Sequence, residues 1–170
     1  KFVAETVRLW GVQNKGMRKN AAIAEALEEI LGEAENKEIS EVGEQAVEGR
    51  LSSLGYMTAR SPGSRSPVDV WGIGRCDGLV HVAGVQVKAT AGNKPRALST
   101  EDESAMKEFA SFVHGCSQDS RFVPVSLKRL PFVVSTGYAG VIVGRAGSRG
   151  ALTARKLVDP HRVFLVYENP

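Results

Sequence analysis

The hydrophobic periodicity of the chain changes at Gly55, and this change constrains the fold more than any other feature of the sequence. Before Gly55, apolar residues recur every three or four positions, which is the spacing of an amphipathic helix. From Tyr56 to Thr90 they recur at every second position over short stretches, which is the spacing of β-strands. Helices that precede a run of strands bury their apolar faces against a sheet, so the sequence predicts an α/β or an α+β fold.

The helical part is predicted to consist of two helices joined by a linker. Within residues 1–38, Asn20 is expected to cap a helix and Gly32 to end it. Residues 33–40 are polar and are predicted as the linker, and a second helix is expected from about residue 41 to residue 54. The apolar stripes of the two helices comprise Ala22, Ile23, Ala26, Leu27, Ile30 and Leu31, followed by Val42, Ala46, Val47, Leu51 and Leu54.

The alternating part is predicted to form three strands. These run from Tyr56 to Arg60, from Val68 to Gly74 and from Leu79 to Thr90. The segment from Ser61 to Pro67 contains two prolines and a glycine and is predicted as a loop. Asp77-Gly78 is a hairpin signal, so the second and third strands are expected to pair antiparallel.

The second half of the chain is predicted to add a helix and further strands to the same sheet. The helix is expected from about Thr100 to His114, with Thr100 and Glu103 forming a capping box. The order of elements predicts a mixed central β-sheet flanked by helices. The predicted strands are Arg121 to Val125, Phe132 to Ser135, Val141 to Val143 and Val163 to Tyr167, with one short helix from Ala151 to Leu157.

Composition excludes several classes of protein. Apolar residues make up 42% of the chain and charged residues 24%, which is typical of a globular domain and not of a disordered chain. The longest nearly apolar runs are shorter than the roughly 20 residues of a membrane helix, and no secretory signal opens the chain, so we expect an intracellular protein outside the membrane. Two unpaired cysteines indicate neither a zinc ribbon nor a disulfide scaffold.

Positive charge is concentrated in the second half of the chain. The net charge is +3, but residues 121–162 alone carry eight Lys and Arg residues against one acid. Such an excess attracts polyanions, although it is also compatible with a merely soluble surface. In the glycine-rich segment 144–150, Arg145 and Arg149 are candidate contacts to a DNA backbone or part of an ordinary connection. No Gly-Lys-Ser/Thr follows there, so no nucleotide cofactor is expected.

Three polar residues on neighbouring predicted strands form the main candidate site. Asp69 lies early in the second strand, and Gln86 and Lys88 lie two residues apart on the third, so their side chains share a face. Carboxylate and amide oxygens are ligands that suit Mg²⁺, and an adjacent amine can hold a water or a phosphate oxygen. The same three residue types are also typical of a solvent-exposed strand face with a weak surface ion pair.

The order of motifs around these residues resembles the archaeal-type Holliday-junction resolvases of the PD-(D/E)xK nuclease superfamily. Glu44 precedes the Gly55-Tyr56 pair by eleven residues, as a helix-borne Glu precedes a Gly-aromatic pair in that family. The similarity covers about residues 41–90. The further matching segments are Gly43-Glu44-Gln45-Ala46-Val47, Arg60-Ser61-Pro62-Gly63-Ser64-Arg65, Pro67-Val68-Asp69-Val70 and Gln86-Val87-Lys88.

The resemblance implies a restriction-endonuclease-like fold over residues 41–170, with residues 1–40 as a helical N-terminal extension. It also implies a role for each matching residue. Asp69 is the central metal-binding carboxylate, Glu44 the helix-borne acid and Lys88 the catalytic lysine. The other implied positions are Gln86 at the second acidic position, the carbonyl of Val87 as a metal ligand, and Ser64 in a loop near the scissile phosphate. Glu48 replaces Glu44 if the alignment slips by one helical turn.

The resemblance further implies a homodimer that cuts four-way DNA junctions by paired hydrolysis in recombination or repair. The expected cofactor is Mg²⁺, for which Mn²⁺ substitutes, and Arg60, Arg65, Arg145 and Arg149 are the expected DNA contacts. Gln86 departs from the family, where Glu is usual, and Gln-x-Lys is a feature of the Mrr-like restriction endonucleases. An Mrr-like restriction or repair nuclease and a non-catalytic DNA-binding relative of the fold are therefore the alternatives.

Overall fold

The computed structural model describes residues 17–61, 66–76, 78–118, 131–145, 147 and 150–158. Over these residues the protein is α/β, with a five-stranded mixed sheet and two helices. The predicted strands at 121–125 and 163–167 lie outside the described residues. The chain divides into two compact units, Lys1–Ile39 and Ser40–Pro170.

A single helix, α1, runs without interruption from Met17 to Ser53. The predicted cap at Asn20, the predicted end at Gly32 and the predicted linker over 33–40 are therefore wrong. Segment 33–40 contains no proline and consists largely of good helix formers. An isolated glycine costs a helix about 1 kcal/mol but does not break it, which explains why Gly32 lies inside α1.

The end of α1 follows the prediction at Gly55. This glycine has a φ of +88°, which a residue with a Cβ rarely adopts. The backbone N–H of Gly55 donates to the carbonyl of Ser52, and that of Tyr56 donates to the carbonyl of Leu51 at 3.2 Å. These two bonds form a Schellman motif, which turns the chain from α1 directly into the first strand.

The sheet has the order β1-β2-β3-β4-β5. Neighbouring strands are antiparallel, except that β3 and β4 are parallel. The chain connects β3 to β4 through the second helix, α2, which spans Thr100–Gln118. The strands are β1 Met57–Arg60, β2 Val70–Cys76, β3 Leu79–Thr90, β4 Phe132–Arg145 and β5 Leu152–Val158.

Two predictions for the second half of the chain are wrong. The segments 132–135 and 141–143 belong to one 14-residue strand, β4. The predicted helix over 151–157 is instead β5, which pairs antiparallel with the end of β4. Ala, Arg, Lys and Leu give this segment a helical propensity, but pairing with a long partner strand outweighs a preference of a few tenths of a kcal/mol per residue.

The core of the second unit lies around β3. Val80, Val82, Val85 and Val87 on this strand are all buried, which is typical of a strand covered on both faces. On the described part of the chain, no helix is long and apolar enough to cross a membrane.

Candidate active site

Asp69 lies immediately before β2, where the chain reaches β3. Its backbone N–H donates to the carbonyl of Val85 at 2.9 Å, and its Oδ2 accepts from the N–H of Val87 at 2.7 Å. The carboxylate therefore replaces a backbone carbonyl at the end of the β2–β3 ladder. The sequence predicts Asp69 inside a strand that starts at Val68, whereas β2 starts at Val70.

The position of Asp69 changes its acidity. Burial raises the pKa of the Asp69 carboxyl above its ordinary value, and the negative charge of Asp102 raises it further. The hydrogen bond from Val87 and the positive charge of Lys88 act in the opposite direction. Asp69 thus lies within electrostatic reach of Lys88 and Asp102.

Glu44 is brought to the same region by the packing of α1 on the sheet. A Cβ at Gly43 would lie 2.6 Å from the Cβ of Ala89 and 3.4 Å from Cγ1 of Val87, so only glycine allows α1 to approach β3 this closely. Val47 and Leu51, one and two turns farther along α1, are fully buried. The half-buried Glu44 follows directly after this contact.

The carboxyl groups of Glu44 and Asp69 repel each other. Burial raises the pKa of Glu44, and the largest contribution from a neighbouring charge comes from Asp69, which also raises it. The nearby Arg60 acts in the opposite direction. Two partly desolvated carboxylates from different elements that repel each other form an arrangement that a cation would stabilise.

The alternative acid, Glu48, has a different partner. Its Oε2 accepts a hydrogen bond of 2.9 Å from Nε of Arg60, and Nη2 of Arg60 lies 2.9 Å from the same oxygen. The structure therefore places Glu48 in an ion pair with Arg60. Of these two acids on α1, Glu44 is the one whose pKa is raised by the charge of Asp69.

Lys88 and Gln86 lie on β3 on either side of the buried Val87. Both are half-buried. The amine of Lys88 lies 3.2 Å from Oδ2 of Asp102 in the first turn of α2. It also lowers the pKa of Asp69, so Lys88 interacts with acids from two elements. Val87 faces the core, as the two-residue alternation predicts, and its N–H binds Asp69.

Asp102 is a residue that the sequence argument missed. The predicted capping box pairs Thr100 with Glu103, but the structure pairs Ser99 with Asp102. The N–H of Asp102 donates to Oγ of Ser99 at 3.0 Å, and the N–H of Ser99 donates to Oδ2 of Asp102 at 3.4 Å. The motif Ser-x-x-Asp one residue earlier is the signal that would have located it.

Among the described residues, no three His, Cys, Asp or Glu side chains are grouped so that they could hold a metal ion. The acids at the site are the pair Glu44 and Asp69, while Asp102 binds Lys88. Two carboxylates still fit Mg²⁺, because this ion keeps several waters and needs only one or two protein carboxylates.

The remaining predicted site residues are Ser64, Arg65, Arg145 and Arg149. Ser64, Arg65 and Arg149 lie outside the described residues. Arg145, at the end of β4, donates from a terminal guanidinium nitrogen to the carbonyl of Gly150 at 3.1 Å. This bond closes the β4–β5 connection, which is the ordinary structural role considered for the segment.

His81 belongs to the core, on the side of β3 opposite to Gln86 and Lys88 by parity. It is fully buried. Its Nδ1 lies 2.5 Å from the hydroxyl of Tyr56, and its Nε2 lies 2.6 Å from Oγ of Ser135. Burial lowers the pKa of His81, which favours the neutral ring. A neutral, hydrogen-bonded histidine fits a structural role.

Comparison with known proteins identifies no relative: no family model, curated protein or solved structure matches the chain.

Proposed function

We propose that the protein is a metal-dependent DNA endonuclease of the PD-(D/E)xK type that acts on four-way junctions. The observation that carries this proposal is the electrostatic repulsion between two partly buried carboxylates, Glu44 on α1 and Asp69 before β2, with Lys88 within electrostatic reach of Asp69. We further propose that the mixed sheet is the restriction-endonuclease-like one. An enzyme of this type would act inside the cell, where the DNA is.

The metal proposed for this site is Mg²⁺, with Mn²⁺ as a substitute. Asp69 and Glu44 would hold it, together with the amide oxygen of Gln86 and the carbonyl of Val87. When bound, the ion would supply charge stabilisation at the phosphate and acidify a water. The repulsion between Glu44 and Asp69 supports this assignment, because a bound divalent cation would lower the free energy needed to ionise both carboxyl groups.

The protein groups have separate roles in the proposed hydrolysis. Oδ2 of Asp69 accepts a hydrogen bond from the N–H of Val87, which fixes the orientation of the carboxylate. The other oxygen, Oδ1, would bind the metal. Lys88 would orient the attacking water and stabilise negative charge on the phosphate. The new bond joins the water oxygen to phosphorus, and the bond between phosphorus and the 3′-oxygen breaks. The 3′-oxygen takes a proton from solvent and leaves as a hydroxyl, while the water's own proton is lost, so that the other product carries a 5′-phosphate.

The proposed substrate rests on charge and on the resemblance described above. Eight basic residues lie between positions 121 and 162, which supports binding to a DNA backbone. Arg60 is ion-paired with Glu48, so a phosphate would compete with a surface pair worth about 0.2–1 kcal/mol. Paired cuts on a symmetric junction need two active sites, so we propose a homodimer.

The test compares a labelled four-way junction with a duplex of equal length, with Mg²⁺ or with EDTA. We expect paired symmetric nicks on the junction in the presence of Mg²⁺ and no cleavage in EDTA. Asp69→Asn, Lys88→Ala and Glu44→Gln should abolish cleavage and retain junction binding. Glu35→Gln is the matched control, because it removes the same charge from an exposed position on α1 more than two turns from Glu44, and it should cleave normally.

Each other outcome identifies an alternative. If the duplex is cleaved as fast as the junction, the result favours an Mrr-like restriction or repair nuclease. The Gln-x-Lys motif at Gln86 is a feature of that branch. Binding of the junction without any Mg²⁺-dependent cleavage by the unaltered protein overturns the nuclease proposal and favours a non-catalytic DNA-binding module.

A further inference from the structure

The amine of Lys88 is held by an acid that does not belong to the sheet. Nζ of Lys88 lies 3.2 Å from Oδ2 of Asp102, and the two side chains are 28% and 40% exposed. Asp102 lies in the first turn of α2, which the chain enters after leaving β3. The pair therefore connects the strand that carries Lys88 to the helix that follows it.

The carboxylate of Asp102 is itself fixed in place. Oδ2 accepts from the N–H of Ser99, and the N–H of Asp102 donates to Oγ of Ser99. The N–H of Glu103 also donates to the carbonyl of Ser99, at 3.0 Å. This reciprocal cap restricts the rotamer of Asp102 at the helix N-terminus. Its bonds to Lys88 and to Ser99 lower the pKa of Asp102, so the carboxylate is ionised at neutral pH.

We propose that Asp102 is a positioning residue, which holds the Lys88 amine in the orientation that phosphodiester cleavage requires. This inference rests on the proposed nuclease function. Lysine has a long, flexible side chain, and its ammonium has three N–H donors. Asp102 occupies one donor and leaves two for a water or a phosphate oxygen. Fixing the amine before substrate binds lowers the entropy lost in the transition state.

A purely structural role for Asp102 predicts something different. An exposed ion pair contributes little to stability, so removing the charge of Asp102 should then leave both the fold and the rate of cleavage unchanged. The positioning role instead predicts a slower chemical step with unchanged DNA affinity.

The experiment measures single-turnover junction cleavage at saturating enzyme, and junction affinity in EDTA. Asp102→Asn keeps an oxygen for the N–H of Ser99 but loses the charge, and we expect cleavage to slow at least about tenfold with affinity unchanged. Asp102→Glu retains a carboxylate in a capping box and should restore cleavage to within about threefold of the unaltered protein. Glu101→Gln and Glu103→Gln remove the same charge from the same helical turn and should cleave normally.

A second measurement is independent of activity. Acetylation of lysines by limiting acetic anhydride, read by mass spectrometry, should label Lys88 faster in Asp102→Asn than in the unaltered protein, with Lys94 as internal reference. If Asp102→Asn cleaves at the unaltered rate, or if labelling of Lys88 does not change, the positioning role is wrong while the nuclease proposal stands. If the unaltered protein does not cleave, both fail.

Discussion

Substitution of Gly43 by alanine tests whether the approach of α1 to β3 determines the site. The added Cβ would lie 2.6 Å from the Cβ of Ala89, a contact that real Cβ atoms essentially never make. The Cβ of Ala89 is bonded to the backbone and cannot rotate away, so the helix or the strand must move. Overpacking of this kind costs about 1–3 kcal/mol.

Part of that cost is offset, because alanine favours a helix interior over glycine by about 1 kcal/mol. The net effect expected for Gly43→Ala is a loss of about 0–2 kcal/mol. Gly49 is the matched control in the same helix, since nothing lies within 4 Å of a Cβ built there. Gly49→Ala should therefore gain about 1 kcal/mol, and the two variants should differ by about 1–3 kcal/mol.

The assay is thermal and urea unfolding followed by circular dichroism. For a chain of this size, 1 kcal/mol corresponds to about 2–4 °C in Tm. Gly49→Ala should melt above the unaltered protein, and Gly43→Ala level with it or below it. If the two variants are stabilised equally, the close contact of α1 with β3 is wrong. If the nuclease proposal holds, Gly43→Ala should also cleave more slowly, because Glu44 moves with the helix.

Three further predictions concern charge and hydrogen bonding. Because the pKa values of Glu44 and Asp69 are raised, the folded metal-free protein holds their protons more tightly than the unfolded chain. Its stability should therefore fall as pH rises from about 4 through the raised values, and Glu44→Gln should flatten this slope in thermal unfolding with EDTA. Gln86→Glu should raise Mg²⁺ affinity about tenfold by calorimetry and lower the metal-free Tm, because it adds a carboxylate; equal affinity would argue against Gln86 as a ligand. Tyr56→Phe should lose about 1–2 kcal/mol in urea unfolding, since it removes a hydrogen bond to the buried His81.

The sequence is most informative where the chain alternates strictly or must turn. The predicted bounds of β3, Leu79 to Thr90, agree with the structure. Gly55 ends α1 as predicted, because its positive φ excludes most other residues. The prediction fails at β5, where helix-forming residues adopt a strand, because pairing with β4 outweighs their local helix propensity.

The candidate site shows the same division. Asp69, Gln86 and Lys88 follow from the hairpin and from the two-residue alternation. The resemblance favours Glu44 over Glu48 by its spacing from Gly55, but both lie on one helix face, and the pairing of Glu48 with Arg60 is visible only in the structure. Asp102 also needs the structure, since its contact with Lys88 depends on where α2 starts in space.

By itself, the sequence determines the strand alternation, the hairpin and the turn after α1, because these depend on near neighbours and on backbone sterics. Only the tertiary structure decides that α1 packs closely on β3 at Gly43, that 152–158 is a strand and that Lys88 is held by Asp102. The physical reason is that these features depend on contacts between different elements, whose burial and charge act only once the sheet and its helices have packed.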